Sequence, residues 1–559
     1  MMNRDAENAL GKLIYLGVPA VTLLVTGFAN YDPVNVPKMF LLSGIAFSSL
    51  FILITFGKKA FWSHNRLLIT IWVAFILASV LSLIMSEAPA VQNFYGIFGR
   101  NTGFLTYLSL SILTLATASI SKIENYEKLT KALIVAGVVN VFLCFLELLG
   151  INIFGFNNIY GNILGTFGNP NFISSFLGIF TSASVAYVFK PRISIIYRLG
   201  ALFLLPLAFY EIVDSKSIQG LFVTGIGCGT VGFFLVKEYL KKVYFQLIYL
   251  LLSLSAGSLA ALGALQIGPL AQYIYKVSIT LRGEYWNAGL TMGKTHLIGG
   301  IGFDSYGDWY RRARSASAMI LPGPTTVSNS AHNVTIELFA SGGLTLLIPY
   351  LLLVAYTTFL AIKTIVSIKK YNATYYVIFT AWICYQAQAI ISINQIGVAI
   401  WGWVMTGAVI GYSRILINSN LETDEQPRSN KRVNKSSESA SVTLVTALGL
   451  AFGLALAFPS YFADVKWRTA LRSSSVELAQ EAAKRWPLDS YRLANAALVF
   501  EQSKFPNQAY EMGKLGIKHN PGYFDAWKVM ATLSSSTDEE KKLAVAKMHE
   551  LDPRNLKLE

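Results

Sequence analysis

The chain has 559 residues, of which 53% are hydrophobic and only 14% charged, against about 25% charged in a typical globular chain. Its mean hydropathy is +0.48, and runs of roughly 18 or more apolar residues recur, each able to cross a hydrocarbon core about 30 Å thick; an ordinary soluble protein is excluded. The net charge of +15 would point to nucleic acid, but the cations gather in short loops on one side of a membrane, so no nucleic-acid partner is expected.

In chain order the apolar runs predict about 13 spans, near 11–28, 39–56, 67–86, 103–120, 130–150, 171–189, 199–213, 219–236, 244–264, 334–360, 374–394, 397–413 and 442–462. The first runs straight into a multi-span protein and reads as an uncleaved signal anchor. Loops after even-numbered spans carry Lys58, Lys59 and Arg66, then Lys122, Lys128 and Lys131, and later Lys190, Arg192, Lys237, Lys241, Lys369 and Lys370. The opposite loops are nearly bare: 151–170 has no Lys or Arg, and 88–102 has only Arg100. This asymmetry predicts a multi-pass protein of the cytoplasmic (inner) membrane with its N-terminus inside. The expected fold class is all-α: a polytopic bundle over 1–463, a long external loop about 265–333, a cytoplasmic linker about 415–440, and an extracytoplasmic helical domain over 464–559. Cys144, Cys228 and Cys384 lie in apolar segments without metal-ligand spacing.

The polar tail repeats itself. Pro487, Pro521 and Pro553 are 34 and 32 residues apart, within "WPLDSYRLANAAL", "NPGYFDAWKVMATL" and "LDPRN". A period near 34 with Pro at helix-pair junctions is the tetratricopeptide pattern; the alternative is a set of unrelated amphipathic helices. Stacked helix pairs would offer a groove to a partner protein or a glycan.

Four external clusters are candidates for chemistry, because ionisable groups near membrane depth are costly. In "YGIFGRNTG", Arg100 sits among glycines, either snorkelling from a re-entrant turn or meeting phosphate. "GTFGNPNF" offers Asn169, with helix capping as the alternative. "DSKSIQG" places Lys216 and Gln219 beside Asp214, for a phosphate contact or a simple ion pair. In the long loop, "LRGEYWNAGLTMG" reads as a short helix with Arg282 and Trp286 one turn apart. "HLIGGIGFDSY" follows it, and "SAHNVTIELFASGG" brings His332 and Asn333 to a helix start with Glu337 one turn on. His332 is a proton exchanger near neutral pH or merely a cap. The Arg282 fork suits the paired oxygens of a diphosphate.

On these residues the chain resembles the O-antigen ligase and O-antigen polymerase superfamily of bacterial membrane glycosyltransferases, which also holds protein O-oligosaccharyltransferases. The likeness lies in "GTFGNPNF", Arg282 to Tyr310, Ser330 to Gly343 and "INQIGVAIWGW", and spans roughly 90–415; the His–Asn element ahead of a Gly-containing helix is its most specific part. A tetratricopeptide tail also occurs in that group. The resemblance implies transfer of a glycan from an undecaprenyl-diphosphate carrier to an acceptor hydroxyl of a lipid, glycan or protein, with His332 as base and Arg282 on the leaving diphosphate. The group tends to carry an Arg after Ser near the eighth span; here Lys216 or Gln219 takes that place. Trp286, Asn333, Asn169 and Arg100 complete the expected substrate contacts, alongside membrane lipids. No Asp-x-Asp pair appears on the external loops, so neither metal nor cofactor is expected. The competing classes are a polysaccharide polymerase, to which the Arg282–Gly293 spacing also answers, and a non-enzymatic transporter or flippase. A transporter would place paired charges at the bilayer midplane in an internal repeat, which the sequence lacks.

Overall fold

The computed structural model describes residues 2–57, 65–156, 158–419, 435–556 and 558. Every regular element among them is a helix, as expected where a bilayer leaves backbone amides no partner outside the segment. In chain order these are α1 (Arg4–Leu23), α2 (Asn35–Phe56), α3 (Arg66–Met85), α4 (Ala90–Tyr95), α5 (Phe104–Ala118), α6 (Ile123–Leu148), α7 (Pro170–Val188), α8 (Ile195–Asp214) and α9 (Ile218–Leu240). Then follow α10 (Val243–Ala264), α11 (Ala271–Ile274), α12 (Val277–Thr295), α13 (Tyr306–Ala313), α14 (Val334–Ser367), α15 (Ala373–Ile391), α16 (Ile396–Ser419) and α17 (Lys435–Ser473). The tail holds α18 (Val476–Ala483), α19 (Ser490–Gln502), α20 (Pro506–His519), α21 (Phe524–Thr532) and α22 (Asp538–Leu551).

Ten of the described helices are long and apolar enough to cross a membrane: α2, α3, α6 to α10, α14, α16 and α17. The other three predicted spans coincide with helices of a different character. The first turns of α1 carry Arg4, Asp5, Glu7 and Lys12, α5 has only 15 residues, and α15 includes Gln386 and Gln388. The linker expected over about 415–440 falls largely at 420–434, and Lys58 and Lys59 within 58–64, both outside the described residues. α16 lies at the centre of the bundle, its apolar window wholly buried, whereas α10 turns nearly all of its leucines outward.

Contacts sort the loops onto two ends. At one, Glu7 accepts from the backbone amides of Ser121 and Lys122 (2.9 and 2.8 Å), and Tyr371 donates to Ala186 O. At the other, Asp464 accepts from Asn30 Nδ2 and the amide of Tyr31 (3.0 and 2.7 Å), and Asn35 bridges Gly99 O and Gln395. The candidate residues all belong to this second, tail-bearing end.

Two glycine-rich stretches explain each other. α14 breaks at Gly343 (φ 62°, ψ −158°), which releases the carbonyls just before it from the helical ladder. The amides of Ile301 and Gly302 donate to Ala340 O and Ser341 O, both at 2.9 Å, and Leu344 N donates to Leu297 O at 2.7 Å. A Cβ at Gly300 would lie 2.2 Å from the Ser341 backbone, and one at Gly343 2.2 Å from Leu297 O. Only glycine permits this approach at positive φ. The turn thereby clamps the 265–333 loop onto the kink of α14.

α17 is continuous past 464 to Ser473, and the second core, separate from that of the bundle, begins at Trp467. In the tail α19 packs on α20 and α21 on α22. Pro487 and Pro521 stand just before α19 and α21, and Pro553 just after α22, so the three prolines mark the ends of two helical hairpins.

Candidate functional site

α12 packs along the first turns of α14. Contact is close because Gly289 carries no side chain: a Cβ there would meet Ile336 Cγ2 at 2.7 Å. This brings Arg282 and Tyr285 of α12 against the loop that ends in His332. The His332 and Tyr285 rings lie 5.6 Å apart, tilted by 33°. The helix predicted around Arg282 is longer than the sequence signals indicate, running 19 residues from Val277.

His332 adopts a left-handed backbone (φ 51°), and its amide donates to Ser330 Oγ at 2.9 Å. Its imidazole is pushed down to about 3. Burial is the largest cause, and the positive charges of Arg282 and then Arg100 add to it. The shift thus reports two guanidinium groups within electrostatic reach of one imidazole. Arg282 is half-buried; its Nε donates to Ile391 O (2.9 Å) and Nη1 to Ser278 O (3.0 Å). These bonds fix the plane of the fork. Its pKa lies below the usual arginine value, through burial. Trp286, one turn on, has a buried Nε1 without a hydrogen-bond partner.

Arg100 neither snorkels nor stands open to an anion. It is 5% exposed and ion-paired to Asp304 (Nε–Oδ1, 3.4 Å) and Glu337 (Nη2–Oε1, 3.3 Å), and its Nη1 donates to Asn329 O. Burial opposes its charge, but the two carboxylates outweigh that and hold its pKa above the ordinary value. Glu337 Oε2 accepts from Ala331 N (2.6 Å) and Ser330 Oγ (3.0 Å). Asp304 accepts from Thr102 N and Thr102 Oγ1 (2.9 and 2.6 Å). The Asp304–Arg100–Glu337 group therefore positions the His332 loop. The sequence reading gives neither acid a part; an acid in the first turn of an apolar helix, together with a lone Arg in a bare loop, is the available signal.

Both asparagines act as caps. Asn169 Oδ1 accepts from Asn171 N (2.9 Å), and Asn333 Oδ1 from Ile336 N (3.0 Å). Gln219 is buried, accepts from Ser175 Oγ (3.2 Å), and leaves Nε2 unpartnered. Lys216 is exposed, with its carbonyl accepting from Lys276 Nζ at 2.9 Å. Lys276 precedes the first turn of α12, so Lys216, Lys276 and Arg282 gather at one end of that helix. Lys276 has no role in the sequence reading, since its segment shows no turn or glycine motif. Among the described residues, no group of three or more His, Cys, Asp or Glu is placed to hold a metal ion.

The tail meets the 265–333 loop through buried ion pairs. Arg314 Nη2 contacts both Asp552 oxygens at 2.6 Å with neither side chain exposed, and Arg311 reaches the same carboxylate at 3.2 Å. Asn520 Nδ2 donates to Gln92 Oε1 (3.1 Å) and Asp308 Oδ2 (3.0 Å). Burial pushes Asp308 up to about 6. No protein-family model matches the sequence, and no curated protein matches it either.

Proposed function

We propose that this chain is a glycan ligase of the O-antigen ligase type, moving a glycan from undecaprenyl diphosphate to an acceptor hydroxyl on the outer face of the cytoplasmic membrane. In this reading α1, α5 and α15 join the ten apolar helices as spans, the tail-bearing end faces outward, and the tail hairpins are tetratricopeptide-like. One observation carries it: the imidazole of His332 lies within electrostatic reach of the Arg282 fork, on segments that resemble the catalytic elements of that group.

In the transfer, the acceptor oxygen bonds to the anomeric carbon of the donor sugar. The carbon–oxygen bond to the diphosphate breaks, and its electron pair stays on the diphosphate oxygen. The acceptor proton passes to the His332 imidazole. Arg282, helped by Lys216 and Lys276, neutralises the leaving group. His332 is neutral beforehand and so able to take a proton, although the nearby cations make it a weak base. A bound diphosphate offsets those cations and strengthens the base when it is needed. Arg100, held by two carboxylates, positions the His332 loop and is not a diphosphate ligand.

The test uses purified protein, synthetic undecaprenyl-diphosphate oligosaccharide and candidate acceptors, with release of undecaprenyl diphosphate as readout. His332→Ala and Arg282→Ala should each lose at least about a hundredfold in rate. Undiminished release by both variants refutes the site, and a ladder of longer glycans in place of single transfer marks a polymerase.

A further inference from the structure

α17 is among the helices long and apolar enough to cross a membrane, and most of its apolar window lies on the surface. With 3.6 residues per turn, one stripe of its face holds Leu444, Leu448, Ala451, Ala455, Phe458 and Phe462. None of these is buried, and Leu444, Leu448 and Phe458 are 60, 54 and 48% exposed. At 1.5 Å per residue the stripe is about 27 Å long, close to the roughly 30 Å of a hydrocarbon core. The next residue on it, one turn on, is Lys466. A lysine there stands at headgroup depth, at the tail-bearing end of the bundle.

A second cation converges on the same place. Arg485, two residues past α18, covers the Phe462 ring with its Cζ 4.4 Å from the centroid, and Lys466 Nζ lies 5.3 Å from that centroid. Phe458, one turn below, stacks on Phe462 with centroids 5.3 Å apart and planes 13° apart. Lys466 is exposed and has no ion-pair partner among the described residues. The acid beside Arg485 is Glu481, at 3.2 Å and with 69% of its side chain exposed, and a surface pair of that kind contributes little. A guanidinium lying on a ring keeps N–H donors at its edge for an anion. Trp486 follows, 57% exposed and packed edge-on against Tyr95 at 6.0 Å. Tyr95 in turn donates to Leu456 O of α17, which sets the indole at the end of the apolar stripe, where tryptophans gather at membrane surfaces.

Two positive groups over one ring, faced by one exposed acid, leave charge uncompensated at the edge of an apolar face. A bare acyl chain would cover the stripe and leave the cations unanswered. A free anion would answer the cations and leave the stripe in water. An anionic phospholipid does both, with its phosphate at the cations and its chains along the helix. A zwitterionic lipid carries its own cation beside the phosphate and gains less. We infer that Lys466 and Arg485 bind the phosphate of an anionic phospholipid in the leaflet at the tail-bearing end, with Phe458 and Phe462 against its chains. Lys466 belongs to α17 and Arg485 to the tail, so the bound lipid ties the tail to the bundle. The site shares no residue with the transferase reading.

The full-length protein is measured by native mass spectrometry with phosphatidylglycerol and phosphatidylcholine of the same acyl chains. Phosphatidylglycerol should bind more tightly. Lys466→Gln and Arg485→Gln should each weaken it about fivefold, the worth of one cation at a membrane surface, and leave phosphatidylcholine unmoved. Lys466 is exposed, so its variant decides the matter if Arg485→Gln fails to fold. Equal binding of the two lipids overturns the inference, as does phosphatidylglycerol binding that neither variant alters. Loss of the lipid in Arg282→Ala instead would place it beside His332, and displacement by equimolar inorganic phosphate would make this a free-anion site; either result also overturns it.

Discussion

Arg100 and Glu337 stand 237 residues apart in sequence yet meet at 3.3 Å inside the protein. The second Glu337 oxygen holds Ser330 and Ala331, the two residues before His332. The ion pair is therefore the mechanical link between the glycine-rich Gly96–Gly103 loop and the imidazole. Removing one partner of a buried pair costs about 3–5 kcal/mol, because the other charge is left uncompensated. Arg100→Gln leaves two carboxylates facing each other, so its melting temperature should fall well below that of Glu337→Gln, which leaves Arg100 with Asp304. Equal melting curves for the two variants would show that the triad does not hold the loop.

The depressed His332 pKa gives a pH signature. The kcat/KM profile reports groups in the free enzyme, and kcat those in the bound complex. With the imidazole at about 3, kcat/KM should be flat from about pH 8 to 5, whereas kcat should fall on the acid side once diphosphate offsets Arg282. In stability the sign is the reverse of a paired histidine. The folded pKa lies below the unfolded value of about 6.5, so the unfolded state binds the extra proton and stability declines as pH drops from about 6.5 towards 3. His332→Gln should flatten that decline in a pH series of melting temperatures. An acid limb near 6.5 in kcat/KM would place the imidazole in water.

Much of this arrangement was legible in the residues, and the illegible part has a physical reason. Apolar runs announced the long helices because a bilayer imposes length and composition locally. Arg282 and His332 stood out because cations and imidazole are rare beside such runs. The pairing of Gly300 with Ser341, or of Arg314 with Asp552, depends on chain segments that carry no periodic mark of each other. Asp304 and Glu337 looked like any loop acid and first-turn acid until the fold closed around Arg100. Helix-start asparagines were readable as caps from their position, and Asn169 and Asn333 do cap their helices.

One carboxylate ties the tail to the 265–333 loop. Asp552 receives both Arg314 and Arg311, with Arg314 and Asp552 wholly buried. Asp552→Ala should leave Arg314 buried and unpaired, releasing the tail before it unfolds. Hydrogen–deuterium exchange should then rise in 306–324 and 520–524 while the Ala509 and Met512 core of the tail stays protected. Unchanged exchange at the loop would mean that apolar contacts suffice for docking.

Asp308 makes the same docking pH-sensitive. Burial raises it to about 6 against an ordinary value of 3.8, with Gln92 and Asn520 donating to it in partial compensation. Its docked pKa lies above the undocked one, so the docked state binds the proton more tightly. That contribution is complete below about pH 4 and is lost as pH rises through about 6. The tail should therefore grip the loop more firmly at pH 5 than at 7.5, seen as slower exchange around Asn520. Asp308→Asn keeps a carbonyl oxygen for both donors but cannot ionise. It should abolish the difference and hold the tail at pH 7.5 as tightly as the wild type does at pH 5. A pH dependence that survives in Asp308→Asn would assign the effect to another group.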